Sequence, residues 1–149
     1  MNQPLIPTTS FSHGTLDCRD PLRTQRFYRE FLGIHSVRKA NGTQYIWLGG
    51  EWLIACLPAA KATPERQGVE NRWGLRVATA AEVDAAHEAA LAQQKEWEIQ
   101  QVLPVREEGG SRSFALQDID GNWWEIFHRP GELYEDVFAL GEVRASRSG

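Results

Sequence analysis

Cysteine is scarce in this chain of 149 residues, occurring only at Cys18 and Cys56. Both sit in apolar, strand-like stretches and read as buried thiols of a reducing compartment, not as a disulfide framework. No run approaches the ~18 apolar residues that a membrane span requires. Met1 to Ser10 lacks the basic-then-apolar order of a secretory leader. These absences give the expectation of a cytoplasmic protein with no membrane partner. A basic face is missing too: the net charge is −4 with acids and bases interspersed, which argues against nucleic acid as a partner. What is present, 42% hydrophobic and 24% charged residues, suits a globular domain long enough to bury a core without staples.

Residues 11–18 alternate polar and apolar, the pattern of a half-buried strand. Asp20 and Pro21 then open a helix, Asp20 as its N-cap. Leu22, Phe27, Tyr28, Phe31 and Leu32 fall mostly at three- and four-residue spacing along it, and Gly33 stops it. Short strands are predicted over 34–38, 43–48 and 52–57, with turns at Asn41-Gly42 and Gly49-Gly50. After a polar linker the order repeats. A strand over 73–78 leads to an Ala-rich helix over 80–94 with Val83, His87 and Leu91 on one side. Strands over 97–103, 112–117 and 122–127 follow, with a Gly-Gly turn within 107–111.

At one constant offset the halves align His13 over Arg72, Leu16 over Leu75, Cys18 over Val77 and Leu32 over Leu91. The duplicated order carries more weight than any identity. It predicts one α+β domain of paired βαβββ modules whose incompletely closed sheet surrounds a concave cleft. Module one covers 11–57, a linker 58–70, module two 71–128 and a tail 129–149. In the tail, Tyr134, Val137, Phe138 and Leu140 suit a short amphipathic helix packing on the domain or on a second subunit.

Three stretches add a resemblance. They are Phe11-Ser12-His13-Gly14-Thr15-Leu16-Asp17-Cys18, Phe27-Tyr28-Arg29-Glu30-Phe31-Leu32-Gly33, and Asp118-Ile119-Asp120-Gly121-Asn122-Trp123-Trp124-Glu125-Ile126. In this order the chain resembles the vicinal-oxygen-chelate superfamily of glyoxalases, bleomycin-resistance proteins and extradiol dioxygenases. The third stretch resembles that family's Asp-Pro-Asp-Gly-Asn turn, with Ile119 in place of Pro. The resemblance implies a divalent metal (iron, manganese, zinc or nickel) held in the cleft by ligands from the first and last strands of each module. It also implies a homodimer.

Carried onto this chain, the ligand positions are His13, Glu125, Arg72 and, depending on a gap at Gly49-Gly50, Leu53 or Ile54. Only His13 and Glu125 can ligate, and a guanidinium repels a metal. Ring cleavage as in the dioxygenases is disfavoured further, because the Tyr expected upstream of the last Glu falls on Ala115 and the acid–base His on Leu57-Pro58. A glyoxalase-like site would need a rearranged donor such as Glu51.

Two readings follow. In the first, the site is degenerate, Arg72 pairs with Glu125 and Asp17 with Arg76, and no metal is needed. The cleft then binds a flat, aromatic or carboxylate-bearing molecule through Arg72, Arg76, Thr15 and Asp17, with Trp123 and Phe127 as its wall. In the second, His13 and Glu125 are metal ligands and catalytic residues of an atypical lyase, isomerase or dioxygenase. His35, His87 and His128 carry no chemistry in either reading, Cys18 is core, the other tryptophans are packing, and Asp118 and Asp120 are turn carboxylates.

Overall fold

A computed structural model describes residues 12–50, 52–58 and 68–131. The linker from residue 59 to 67, the tail from 132 onward and Glu51 lie outside the described residues, and so do the expectations placed on them. Strand β1 (His13–Cys18) leads to helix α1 (Pro21–Arg26), then β2 (His35–Arg38), β3 (Gln44–Trp47) and β4 (Leu53–Pro58). The second half runs β5 (Arg72–Arg76), helix α2 (Ala80–Ala92), β6 (Gln101–Val102), β7 (Arg106–Glu108), β8 (Ser111–Gln117) and β9 (Trp123–His128). The first four strands form one sheet in the order β1-β4-β3-β2; the second sheet is ordered β5-β9-β8-β6, with β7 also on β8. In each sheet the first strand pairs in parallel with the last, and the other pairs are antiparallel. The α+β expectation and the repeated strand order hold.

Helix α1 starts where Asp20 accepts from the backbone N–H groups of Leu22 and Arg23. Beyond Arg26 it widens into a π-helical turn, Phe27–Phe31. The widening places both Phe27 and Tyr28, neighbours in sequence, in the interior, 1% and 0% exposed, whereas Leu22 stays at the surface. Helix α2 opens with a capping box: Glu82 N–H donates to Thr79 Oγ1 and Thr79 N–H to Glu82 Oε2. Its buried residues are Val83 and Ala90; Leu91, expected beside Val83, is exposed. Small alanines let this helix lie close to the sheet, and the large leucine one position on is pushed outward.

The strand expected over 97–103 is the main correction. Trp97 N–H donates to the Gln93 carbonyl and Ile99 N–H to that of Gln94, so the chain keeps turning after α2. Trp97 packs its ring against Phe27 and Phe31 instead of entering the sheet. Bonding to β8 starts where Gln100 N–H donates to the Gln117 carbonyl, breaks around Pro104, which has no N–H to give, and resumes in β7.

One core lies between the sheets. Leu16, Cys18, Ile54 and Cys56 of the first meet Phe114, Leu116, Trp124 and Ile126 of the second, with Phe27, Tyr28 and Val83 from the helical segments. Each large side chain buried here contributes about 1.5–3 kcal/mol relative to exposure.

The turn between β8 and β9 latches the halves together. Asp118 Oδ1 accepts from the N–H groups of Asp120 and Asn122, and its Oδ2 from Tyr28 Oη and Trp124 Nε1. Asp120 accepts from Arg19 N–H at 2.7 Å and Thr24 Oγ1 at 2.6 Å. Asn122 Nδ2 donates to the Asp17 carbonyl. These are turn carboxylates, as expected, and both are buried. Among the described residues no helix is long and apolar enough to cross a membrane.

Candidate functional site

Strand alternation decides which residues meet. In the β5–β9 pair Arg72 lies opposite Trp123, Gly74 opposite Glu125 and Arg76 opposite Phe127. Strand β8 adds Gln117, Ala115 and Ser113 opposite the same three residues of β9. The intervening Trp73, Leu75, Trp124 and Ile126 turn to the core. On the outer face Arg72 Nε donates to Glu125 Oε2 at 2.9 Å. Arg72 Nη1 donates to the Val69 carbonyl at 3.3 Å and lies 3.6 Å from a Glu70 carboxylate oxygen. The hydrogen bond to Glu125 is the main reason the Arg72 pKa is raised further still, so this cation is permanent.

Two adjoining concavities of about 230 and 400 Å³ share Arg72, Glu125, Arg106 and Ser113. The larger adds Phe127 and Arg129. The Arg76 guanidinium lies 5.3 Å from the centre of the Phe127 ring, a cation–π arrangement. Trp123 shares this face by register but is only 5% exposed, so the aromatic wall at the open concavity is Phe127. Arg106 carries no site signal in the sequence, since it falls at the margin of a turn-like stretch; the pairing of Arg106 with Ser113 brings it onto the face.

The first sheet has its own concavity, of about 470 Å³, lined by His13, Thr15, Thr43, Tyr45, Ala55 and neighbours. There His13 lies opposite Leu53, Thr15 opposite Ala55 and Asp17 opposite Leu57. All three β1 residues are exposed, and His13 Nδ1 is 2.9 Å from Ser12 Oγ. The backs of both sheets face the shared core, so the His13 face and the Arg72 face look away from each other. The candidate residues expected around one cleft are thus divided: His13, Thr15 and Asp17 on one sheet, Arg72, Arg76, Glu125 and Phe127 on the other.

The register also corrects one ligand position. Thr15 and Gly74 correspond across the repeat, and their partners are Ala55 and Glu125. The counterpart of Glu125 in the first module is therefore Ala55, not Leu53 or Ile54, and it carries no donor. The donor set does not fit a resident divalent metal within one chain. Glu125 is engaged by a guanidinium, Ala55 cannot ligate and His13 faces elsewhere. Among the described residues no three of His, Cys, Asp or Glu come together.

The other histidines have structural partners. His87 Nε2 is 3.1 Å from the Leu103 carbonyl with its ring edge-on to Phe114. His128 Nδ1 is 3.4 Å from the Val77 carbonyl, and the His35 ring sits against Trp47. Cys18 and Cys56 are free and buried; burial pushes their thiols up to about 11 and about 12.

Comparison with solved structures returns the same architecture. The fosfomycin resistance protein FosX of Listeria monocytogenes, complexed with Mn(II) and sulfate, superposes with a TM-score of 0.65 at 20% identity, covering 89% of this chain and 98% of that one. FosX of Mesorhizobium loti gives 0.62 at 22% identity, covering 87% and 98%. A glyoxalase/bleomycin resistance protein/dioxygenase from Nocardioides gives 0.60 at 19% identity, covering 86% and 91%. At these identities the likeness is one of fold. No curated protein matches the chain. The family model for the Glyoxalase/Bleomycin resistance protein/Dioxygenase superfamily matches residues 10–126, from before the first strand to within the last. On that match the chain belongs to the Glyoxalase/Bleomycin resistance protein/Dioxygenase superfamily.

Proposed function

We propose that this protein binds a small, flat organic anion, in the manner of a bleomycin-resistance-type binder, with the Arg72–Glu125 ion pair standing where metal-dependent relatives hold their ion. The observation that carries this reading is the 2.9 Å bond from Arg72 Nε to Glu125 Oε2. It fixes a permanent cation on the concave face, with Arg106 and Ser113 beside it and Phe127 along the wall. A carboxylate or phosphonate gains charge-assisted hydrogen bonds from such a guanidinium, and a ring gains an aromatic surface.

The working unit in this reading is a cytoplasmic homodimer. Each chain offers two half-sites on faces that look apart, one with His13, Thr15 and Tyr45 and one with Arg72, Glu125 and Phe127. Two copies packed so that module one of each meets module two of the other would close two complete sites.

The test is elemental analysis of purified protein after dialysis against iron, manganese, zinc and nickel salts, with calorimetric titration of benzoate and phenylphosphonate. The binder reading expects no stoichiometric metal and saturable binding of a ring anion. Metal retained near one equivalent and lost in His13→Ala would instead support the metal-dependent enzyme, with His13 and Glu125 as ligands.

A further inference from the structure

Four of the six tryptophans, Trp47, Trp52, Trp73 and Trp124, surround one cavity of about 150 Å³ between the two sheets. It lies on the core side of β5 and β9, the side opposite Arg72 and Glu125. Among the described residues that line it, none is ionisable. The floor is buried: Trp124 is 1% and Ile46 2% exposed. The rim is open, with Trp47 48%, Leu48 65% and Trp52 41% exposed.

The indole walls are held before any ligand arrives. Trp124 Nε1 donates to Asp118 Oδ2 at 2.9 Å, and Trp47 Nε1 donates to the Gly50 carbonyl at 3.1 Å. Trp73 stacks on Trp52 with ring centres 5.8 Å apart. It also abuts Gly14, where a Cβ would come within 2.7 Å of Trp73 Cη2, so the absence of a side chain there lets the ring sit. An apolar space of about 150 Å³ offers water too few partners to hold it and is the size that accepts one benzene-like ring.

We propose that this cavity is a second binding site, separate from the charged concavity, for a single uncharged aromatic ring. Its size sets the limit of one ring, its described lining of indole, leucine, isoleucine and glycine disfavours charge, and its exposed rim gives the entry path. Offset and edge-on contacts from pre-oriented indoles favour an aromatic ring over an aliphatic one of equal volume. A second copy of the chain could occupy the same space only by inserting a side chain and covering Leu48 and Trp52.

Titration of the full-length protein with toluene, followed by tryptophan fluorescence and calorimetry, tests the proposal. The expected result is saturable binding of one toluene per chain, at least tenfold weaker binding of cyclohexane, and no competition from saturating benzoate. Leu75→Trp, which fills the cavity, should weaken toluene at least tenfold. Leu48→Arg, at an exposed position that does not threaten folding, should do the same by placing a charge at the mouth. Absence of saturation, or toluene binding that Leu48→Arg leaves unchanged, overturns the proposal. So does a Leu48→Arg chain that turns from dimer to monomer while the wild type takes up no toluene, since a second copy would then be the occupant.

Discussion

Arg72 reaches Glu125 diagonally across a parallel strand pair: its direct neighbour on β9 is Trp123, and Glu125 lies opposite Gly74. The two side chains are 32% and 27% exposed, so their pairing contributes little to stability, about 0–1 kcal/mol. Arg72→Ala should leave the denaturation midpoint nearly unchanged and weaken benzoate binding about ten- to a hundredfold, as expected for loss of a charge-assisted contact. Arg72→His replaces the repelling cation with a donor beside Glu125. It should gain affinity for manganese or zinc, measured by calorimetry, if the His13 of a second copy completes the set.

Asp118 gives the fold an unusual pH dependence. Burial, followed by the charge of Asp120, pushes its carboxyl up from 3.8 to about 6, despite hydrogen bonds from Trp124, Asn122 and Asp120 that pull the other way. The folded chain therefore holds this proton more tightly than the unfolded one. Its contribution to stability is greatest below about pH 4 and declines as pH rises through about 6, the reverse of a salt-bridged carboxylate. The span is on the order of 3 kcal/mol. Denaturant unfolding at pH 4.5 and pH 7 should show this slope in the wild type and lose it in Asp118→Asn. That variant should also be less stable at pH 7 by about 2 kcal/mol or more, because its NH₂ must face N–H or O–H donors on one side.

Gly14→Ala puts a methyl group against the Trp73 ring. With only 2.7 Å available and the indole already stacked on Trp52, the ring must tilt. A loss of about 1–3 kcal/mol is expected from such overpacking. A shift in tryptophan emission should accompany it, and unchanged emission would show that the ring had not moved.

Neither thiol should react in the native protein. Cys18 and Cys56 are both 0% exposed, and their raised pKa values leave almost no thiolate at pH 8. A disulfide-exchange reagent should therefore titrate no fast thiol until denaturant is added, and two afterwards.

Much of the architecture was legible because glycine pairs and an Asp-Pro start punctuate the chain. Asn41-Gly42, Gly49-Gly50, Gly109-Gly110 and Asp20-Pro21 fall at turns or at a helix start, as read. Periodicity fails where helical and extended patterns overlap: the pattern at Trp97 and Ile99 suits a strand, although the backbone there bonds back to α2. It fails again at Leu91, whose spacing from Val83 is right for one face while the tighter contact is made by Ala90. Alternation correctly grouped Arg72 and Glu125 on one face and Leu16 and Cys18 on the other. It carries no information about how two sheets stand relative to each other, so His13 was placed beside Glu125 when it faces away. The first-module counterpart of Glu125 was missed for a related reason. Both glycines of the β3–β4 hairpin have positive φ, 119° and 75°, and a turn of that kind leaves the register open in sequence. Only the observed pairing of Thr15 with Ala55 fixes it.

The latch at residues 118–122 changes what the duplication means for folding. Thr24 to Asp120, Tyr28 to Asp118 and Arg19 to Asp120 are bonds between residues 96, 90 and 101 positions apart. Each closes a loop of 90 to 101 residues out of 149 before it can form. Such long-range closure slows the search and makes each half depend on the other. The two repeats, though alike in plan, are expected to unfold in a single transition, and a chain cut in the linker should yield halves that gain structure only when mixed.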